Sequence, residues 1–228
     1  VTDENGCLNY DQFEINDTNK LMATVDQVNT IDVSCFDFCD GQIALDVSGG
    51  VPNINPNGTI EYNYQWNDTL LQTTVTAIGL CVNNDVNLTT YTCIVNDAQG
   101  CFDTVTYTLS QPEELIATTV LVESVDCFGA STGKIKAEVS GGNNPPPYTY
   151  QWNNNVTTPN NYNIIAGNYV VIVTDDKGCT DTAEIILEEP TQLTVTISES
   201  DVSCFGYDDG EITAIVSGGT PEPGIPPT

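Results

Sequence analysis

A four-residue string that returns three times constrains this chain more than any other feature. Val33-Ser34-Cys35-Phe36, Val125-Asp126-Cys127-Phe128 and Val202-Ser203-Cys204-Phe205 are versions of one another. Each leads to a glycine (Gly41, Gly133, Gly210) and then to an alternating apolar segment that ends in Ser-Gly-Gly, at Ser48-Gly49-Gly50, Ser140-Gly141-Gly142 and Ser217-Gly218-Gly219. Two of the three copies continue with Tyr62-Asn63-Tyr64-Gln65-Trp66 and Tyr148-Thr149-Tyr150-Gln151-Trp152. An Asp-x-x-Gly-Cys element comes next at Asp97–Cys101 and Asp175–Cys179, and stands once more at Asp3–Cys7. Motifs that recur in a fixed order mark a repeat architecture.

The phase of the motifs divides the chain into the end of one repeat (1–19), two complete repeats (20–112 and 113–190) and the start of another (191–228). The sequence therefore reads as an interior or processed piece of a longer protein. Cys127 follows Cys35 by 92 residues and Cys204 follows Cys127 by 77. The difference falls chiefly on an insertion near residues 79–90. A solenoid of short units needs a shorter and steadier period, so these repeats are expected to be domains on a string.

Within one repeat the pattern is that of strands and turns. Leu115 and its neighbours open a strand after Pro112, as Leu193, Val195 and Ile197 do after Pro190. Ile135, Ala137 and Val139 alternate with Lys136 and Glu138, which is the period of a half-buried strand. Tyr148–Trp152, Tyr169–Val173 and Cys179–Leu187 supply further strands. Asp175-Asp176-Lys177-Gly178 reads as a hairpin turn, the aspartate bonding the backbone and the glycine taking positive φ. No segment has helical periodicity. The expected fold is all-β: tandem immunoglobulin-like antiparallel β-sandwich domains arranged as a rod. Trp66 and Trp152 fall where such a sandwich buries an aromatic on its third strand. Tyr91 and Tyr169 fall where it places a tyrosine corner.

Charge and cysteine chemistry narrow the function. Thirty-two acidic residues face four Lys and Arg, with no histidine, for a net charge of −28. Binding to nucleic acid or to an anionic membrane surface requires cationic residues that are missing here. Without histidine there is no Ser-His or Cys-His nucleophile pair, and the paired carboxylates Asp175-Asp176, Glu188-Glu189 and Asp208-Asp209 fall in turns or a linker. The chain is therefore not expected to be an enzyme. No run of apolar residues is long enough for a transmembrane helix. The nine cysteines (Cys7, Cys35, Cys39, Cys81, Cys93, Cys101, Cys127, Cys179, Cys204) lack zinc-site spacing and read as disulfides of an extracellular protein. Asn16, Asn57, Asn67, Asn87 and Asn155 open Asn-x-Thr sequons. No cofactor is expected, except that Asp208, Asp209 and Glu211 form a candidate for Ca²⁺, without EF-hand spacing.

The combination of Cys-Phe-Gly, Asp-Gly or Thr-Gly, an alternating strand, Ser-Gly-Gly, proline and Tyr-x-Tyr-x-Trp resembles the SprB-type repeat of giant cell-surface adhesins in gliding Bacteroidota. The later Ala-Gly-x-Tyr and Asp-x-x-Gly-Cys elements are similar to those usually found downstream of that repeat. The resemblance implies export by a type IX secretion route, a location on the cell surface, and a role in adhesion or gliding motility. It also implies O-glycosylation at Asp-Thr-apolar triplets, here Thr69, Thr104 and Thr182. The first complete repeat departs from the pattern, with Asp37-Phe38-Cys39 after Cys35-Phe36 and with Cys81 and Cys93 as extra cysteines.

Two disulfide schemes compete for the recurrent cysteines. A bond inside each repeat joins Cys35 to Cys101 and Cys127 to Cys179. Strand length argues against it, because about 6–9 residues at about 3.3 Å each separate the two ends of a sandwich by about 20–30 Å, while bonded Cα atoms lie within about 7 Å. A bond between neighbouring repeats joins Cys35 to Cys179 and leaves Cys7, Cys101, Cys127 and Cys204 to partners in other repeats. In the first complete repeat, phase places Cys39 and Cys93 on facing sheets and predicts their bond, with Cys81–Cys93 as the local alternative. The function expected is a structural stalk or filament segment, whose partners are neighbouring repeats and other copies in a filament. The alternative is a module that binds carbohydrate or another surface ligand, with its site in the insertion at 80–90.

Overall fold

In the computed structural model of this chain, residues 2–8, 19–83, 87–143 and 147–221 are described. The chain divides into two units, Val1–Gln111 and Pro112–Thr228. Every regular element among the described residues is a strand.

The first unit holds a sandwich of two three-stranded antiparallel sheets. One sheet has the order β1 (Met22–Val25), β2 (Gly41–Ser48), β6 (Thr76–Leu80). The other has the order β5 (Asn63–Trp66), β7 (Leu88–Asn96), β8 (Phe102–Ser110). A small inserted hairpin, β3 (Asn53–Ile54) with β4 (Ile60–Glu61), lies between β2 and β5. Alternation along β2 sends Ile43 and Leu45 into the core, where they meet Trp66, Val95, Val105 and Leu109.

The second unit repeats the plan without that hairpin. β9 (Glu113–Glu123), β10 (Gly133–Gly142) and β12 (Asn160–Ile164) make one sheet, with β10 in the middle. β11 (Thr149–Trp152), β13 (Gly167–Thr174) and β14 (Thr180–Leu187) make the other, with β13 in the middle. Its core gathers Ala117, Ile135, Ala137, Trp152, Val171, Val173 and Leu187. This is the immunoglobulin-like arrangement with three strands per sheet. The unit ends in a lone antiparallel hairpin, β15 (Thr194–Ser200) with β16 (Glu211–Ser217).

Trp66 and Trp152 are 2% and 1% exposed. Each indole N–H donates to a backbone carbonyl, of Thr74 at 2.9 Å and of Thr158 at 2.9 Å, so neither ring buries an unsatisfied donor. The Tyr169 hydroxyl donates to the Ile165 carbonyl at 2.9 Å, closing the expected tyrosine corner, and Tyr91 donates to the Cys81 carbonyl at 2.6 Å.

The predicted Cys39–Cys93 bond does not form, and neither does Cys81–Cys93. Cys39 is bonded to Cys81, with Cα atoms 4.1 Å apart. The reason is β6, a strand that sequence patterning did not mark. Gly41 pairs with Leu80 in the β2–β6 ladder, so Cys39, just before β2, stands opposite Cys81, just after β6. Cys93 does point inward, as its phase requires, but from the other sheet. It is fully buried, opposite Trp66, at the place that Val171 takes opposite Trp152 in the second sandwich. It is a core residue and a free thiol.

Candidate functional site

The repeated motifs are the natural candidates for function, and the structure shows what each does. Two of them meet. In the second sandwich Asp175 accepts backbone N–H bonds from Lys177 (2.9 Å) and Cys179 (3.0 Å) on Oδ1. Its Oδ2 accepts from the backbone and side-chain nitrogens of Asn143, at 2.8 and 3.0 Å. In the first sandwich Asp97 accepts from Gln99 and Cys101 on one oxygen and from Val51 on the other, at 2.8–2.9 Å. The carboxylate thus closes its own hairpin turn and ties it to the Ser-Gly-Gly turn of the same sandwich. At Asp3 the local half of the pattern recurs, with bonds from Asn5 and Cys7.

This tie explains the glycines. A Cβ on Gly142 would lie 3.0 Å from Asp175 Oδ2 and 2.8 Å from a Leu115 methyl, and one on Gly50 would lie 2.9 Å from Asp97 Oδ2. The preceding glycine approaches the first strand more closely still: a Cβ on Gly141, whose φ is 71°, would sit 1.8 Å from the Glu114 carbonyl oxygen. Ser-Gly-Gly is therefore a close-packing element, the first glycine meeting backbone and the second making room for the aspartate.

The ties also set the charge state. Burial pushes the Asp175 carboxyl upward, but the hydrogen bonds from Asn143, Cys179 and Lys177 outweigh it and hold the group below the usual aspartate value. At Asp97 the bond from Val51 leads the same downward shift. Burial raises the Cys93 thiol to about 11, so it is un-ionised and inert at neutral pH.

The Asp-Thr-apolar triplets have structural roles in their aspartates. Asp103 Oδ2 accepts from the Ala23 N–H at 2.9 Å and Asp181 Oδ2 accepts from the Ala117 N–H at 2.7 Å, each fastening the last strand to the first. Asp68 is buried and accepts from Leu70 and Gln72 within its own turn. The neighbouring Thr69, Thr104 and Thr182 are exposed. Of the sequons, Asn57, Asn67 and Asn155 are exposed, Asn87 is half-buried with its side chain bonded to Gln111, and Asn16 lies outside the described residues.

The acidic turn proposed for a cation is used otherwise. Asp209 accepts from the Ser203 N–H at 3.0 Å and is held below its ordinary value by its bonds to Ser203. Asp40 accepts likewise from the Ser34 N–H in the first repeat, at 3.0 Å. Among the described residues no group of three or more His, Cys, Asp or Glu is placed to hold a metal ion.

Cys7, Cys101, Cys127 and Cys204 are exposed free thiols. With Cys101 and Cys127 free, the scheme that bonds Cys35 to Cys101 and Cys127 to Cys179 inside single repeats does not hold. One groove in the first sandwich, about 610 Å³, is lined by Ile60 and Glu61 of β4 with Tyr62, Tyr64 and Thr74, beside Leu45 and Val47 of β2. The Leu80–Thr90 insertion, the expected place for a ligand site, contributes nothing to it. Sequence patterning missed the groove because two-residue strands leave no periodic signal.

Some of these motifs, Gly141-Gly142 and Trp152 among them, fall in segments that are similar to a known repeat. Two segments match the SprB repeat. They are residues 119–157, from β9 through Trp152, and residues 196–222, the β15–β16 hairpin. The first complete sandwich carries the same motifs around its longer insertions. No curated protein matches the chain. Among solved structures the chain is similar to the eight N-terminal Ig domains of Down syndrome cell adhesion molecule (13% identity, TM-score 0.31), covering 80% of this chain and 27% of that one. It is also similar to cadherin domains 1–4 of protocadherin gamma B7 (11%, TM-score 0.30; 75% and 49% covered) and to the amphioxus IgVJ-C2 molecule (15%, TM-score 0.27; 74% and 96% covered). The chain thus spans less than half the length of the first two. The SprB segments and the disulfide mark an extracellular repeat module. No helix among the described residues is long and apolar enough to cross a membrane.

Proposed function

We propose that this chain is a structural stalk or filament segment of a secreted, disulfide-bonded cell-surface adhesin, with no catalytic role. One observation carries the reading: the aromatic and acidic side chains of the recurrent motifs are consumed by the fold. Trp66 and Trp152 are core pins instead of a sugar-stacking platform, and Asp97 and Asp175 tie turn to turn. What repeats from domain to domain is thus the means of building a domain. Under this reading export by a type IX route, gliding, and glycans on Thr69, Thr104 and Thr182 belong to the whole protein. A staple between neighbouring repeats, Cys35 with Cys179, belongs to it as well. Support comes from Cys101 and Cys127 being free, which removes the partners that a bond inside one repeat needs.

Electron microscopy of the native cell surface, with an antibody raised against this segment, tests the proposal. Label at intervals along thin surface filaments is the expected result; label confined to the cell interior would overturn it. Peptide mapping without reduction tests the staple, and a Cys35–Cys101 peptide would remove it.

A second reading, binding of a neutral carbohydrate, is favoured by the groove beside β4, where Tyr62 and Tyr64 stand beside Thr74 and no cationic side chain lines the walls. Binding of neutral oligosaccharides that Tyr64→Ala abolishes would favour it, and an array without hits would dismiss it.

A further inference from the structure

A β-sandwich has two flanks where the edges of its sheets face each other, and the first sandwich treats them differently. One flank is fastened by the bond from the Ala23 N–H of β1 to Asp103 of β8. On the other stand the edge strands β6 and β5. An edge strand offers peptide groups with which another chain can pair, and natural proteins cover them. β6 is covered: the Gln72 side chain accepts from the Ile78 N–H at 3.0 Å and donates to the Ile78 carbonyl at 2.9 Å, taking the place of a neighbouring strand.

β5 is covered at one end only. The Trp66 N–H donates away from its own sheet, to the Gln72 carbonyl at 3.1 Å, while the Asn67 N–H donates to the Thr92 carbonyl of β7 at 3.0 Å. Along an antiparallel strand, residues alternate between facing the partner strand and facing away with their peptide groups. Tyr64, two residues before Trp66 and opposite Val95, therefore turns both its N–H and its carbonyl away from β7. Neither has a partner among the described residues.

Tyr64 lines the groove of about 610 Å³, with Ile60 and Glu61 of the inserted hairpin on one side, Thr73–Val75 on another, and Leu45 and Val47 giving it an apolar wall. Asp46 and Glu61 are among its lining residues and no Lys or Arg is, in a chain of net charge −28. A cationic occupant is drawn to such a place and an acidic one is repelled. The second sandwich has the same edge, with the Trp152 N–H on the Val156 carbonyl and Tyr150 in the place of Tyr64, but among the described residues no inserted hairpin stands beside it.

We propose that the groove is a strand-addition site, which takes an extended basic and apolar segment of a partner protein alongside β5. Main-chain bonds to Tyr64 hold the segment, its apolar side chains meet Leu45 and Val47, and its cationic side chains answer the surrounding carboxylates. β5 is four residues long, about 13 Å, so a segment of about five residues covers it. The proposal is independent of the stalk reading and gives the groove an occupant other than a sugar.

The test titrates the full chain with the peptide acetyl-Val-Lys-Val-Lys-Val-amide, measuring affinity by calorimetry and amide exchange at Tyr64 and Tyr150 by NMR. Binding should slow exchange at Tyr64 about 10-fold or more and leave Tyr150 unchanged. The same peptide N-methylated at its valines keeps its charge and side chains but loses the donors, and should bind about 10-fold more weakly or worse. I60K/E61K, two exposed positions, should weaken the unmodified peptide to a similar degree. Equal binding of the N-methylated peptide, equal protection of Tyr150, or no binding at millimolar peptide would overturn the proposal. So would protection of Tyr64 by maltohexaose with none by the peptide, which would make the groove a sugar site. None of these results touches the stalk reading, which is decided on the cell surface.

Discussion

Asp175 is the position where one substitution tests the motif logic most directly. Its carboxylate, 6% exposed, serves four donors, two on each oxygen. Asp175→Asn keeps the shape but leaves one acceptor oxygen and turns an NH₂ group toward two of the donors. Lys177 is exposed and its N–H returns to water at little cost. Whichever oxygen is replaced, at least one shielded donor is left facing the NH₂ group, the Cys179 N–H on one side or the Asn143 N–H on the other, and an unpaired donor costs about 1–3 kcal/mol. The expected loss is at least about 1–3 kcal/mol, a large part of the stability of a domain this size. At about 4–8 °C per kcal/mol, the second sandwich should melt at least roughly 4 °C lower. A Trp66→Phe background leaves Trp152 as the only reporter, and a Trp152→Phe background reports the first sandwich, whose midpoint should not move. The pH dependence has a definite sign. A carboxyl held below its ordinary value stabilises the fold above the unfolded pKa, near 3.9, and the contribution is lost as pH falls through the lower folded value. The difference between wild type and Asp175→Asn should therefore be full at pH 7 and shrink below about pH 4. A midpoint within 2 °C of wild type at pH 7, or a difference that grows on acidification, would refute the argument.

Breaking the bond between Cys39 and Cys81 with a double Cys→Ser variant opens a loop of 42 residues, worth up to about 4 kcal/mol on the chain-entropy scale. Differential calorimetry should show the loss in the first sandwich only. Cys93→Val places the residue of the second repeat at the same core position and should change stability by less than about 1.5 kcal/mol in urea titrations. In a thiol-reagent time course at pH 7, Cys93 should react only on unfolding, its ionisation being pushed up to about 11 by burial. Trp152→Ala removes the largest side chain of the second core and should cost about 3–5 kcal/mol, measured by chemical denaturation.

Much of this fold is legible because the sequence writes it more than once. The strands β9, β10, β11, β13 and β14 follow period-two alternation bounded by glycine and proline, and the tandem copies share its phase. The strands that escape are those without a period. In β12 (Asn160–Ile164) only Asn161 and Ile164 are buried, and Asn161 is a polar residue paired with Asn154. In β6, Ala77 and Leu80 are buried across a left-handed Gly79, which shifts the phase. The silence of β6 hides the disulfide, since Cys39 and Cys81 become neighbours only through the β2–β6 ladder. The acidic motif residues read as turn formers, which Asp97 and Asp175 are. Their second partner, the Ser-Gly-Gly turn, lies 32 residues from Asp175 at Asn143 and has no local signature.

A chain with 32 carboxylates and four lysines has few cations with which to satisfy them. Among the described residues the ion pairs are Lys134–Glu123 and Lys136–Glu138, both at the surface. Asp97, Asp103, Asp175 and Asp181 instead take neutral amide donors. Added salt screens the repulsion among the surface carboxylates, while these short dipolar contacts within the fold feel it much less. The domains are thus built so that rising ionic strength removes a cost without loosening a tie.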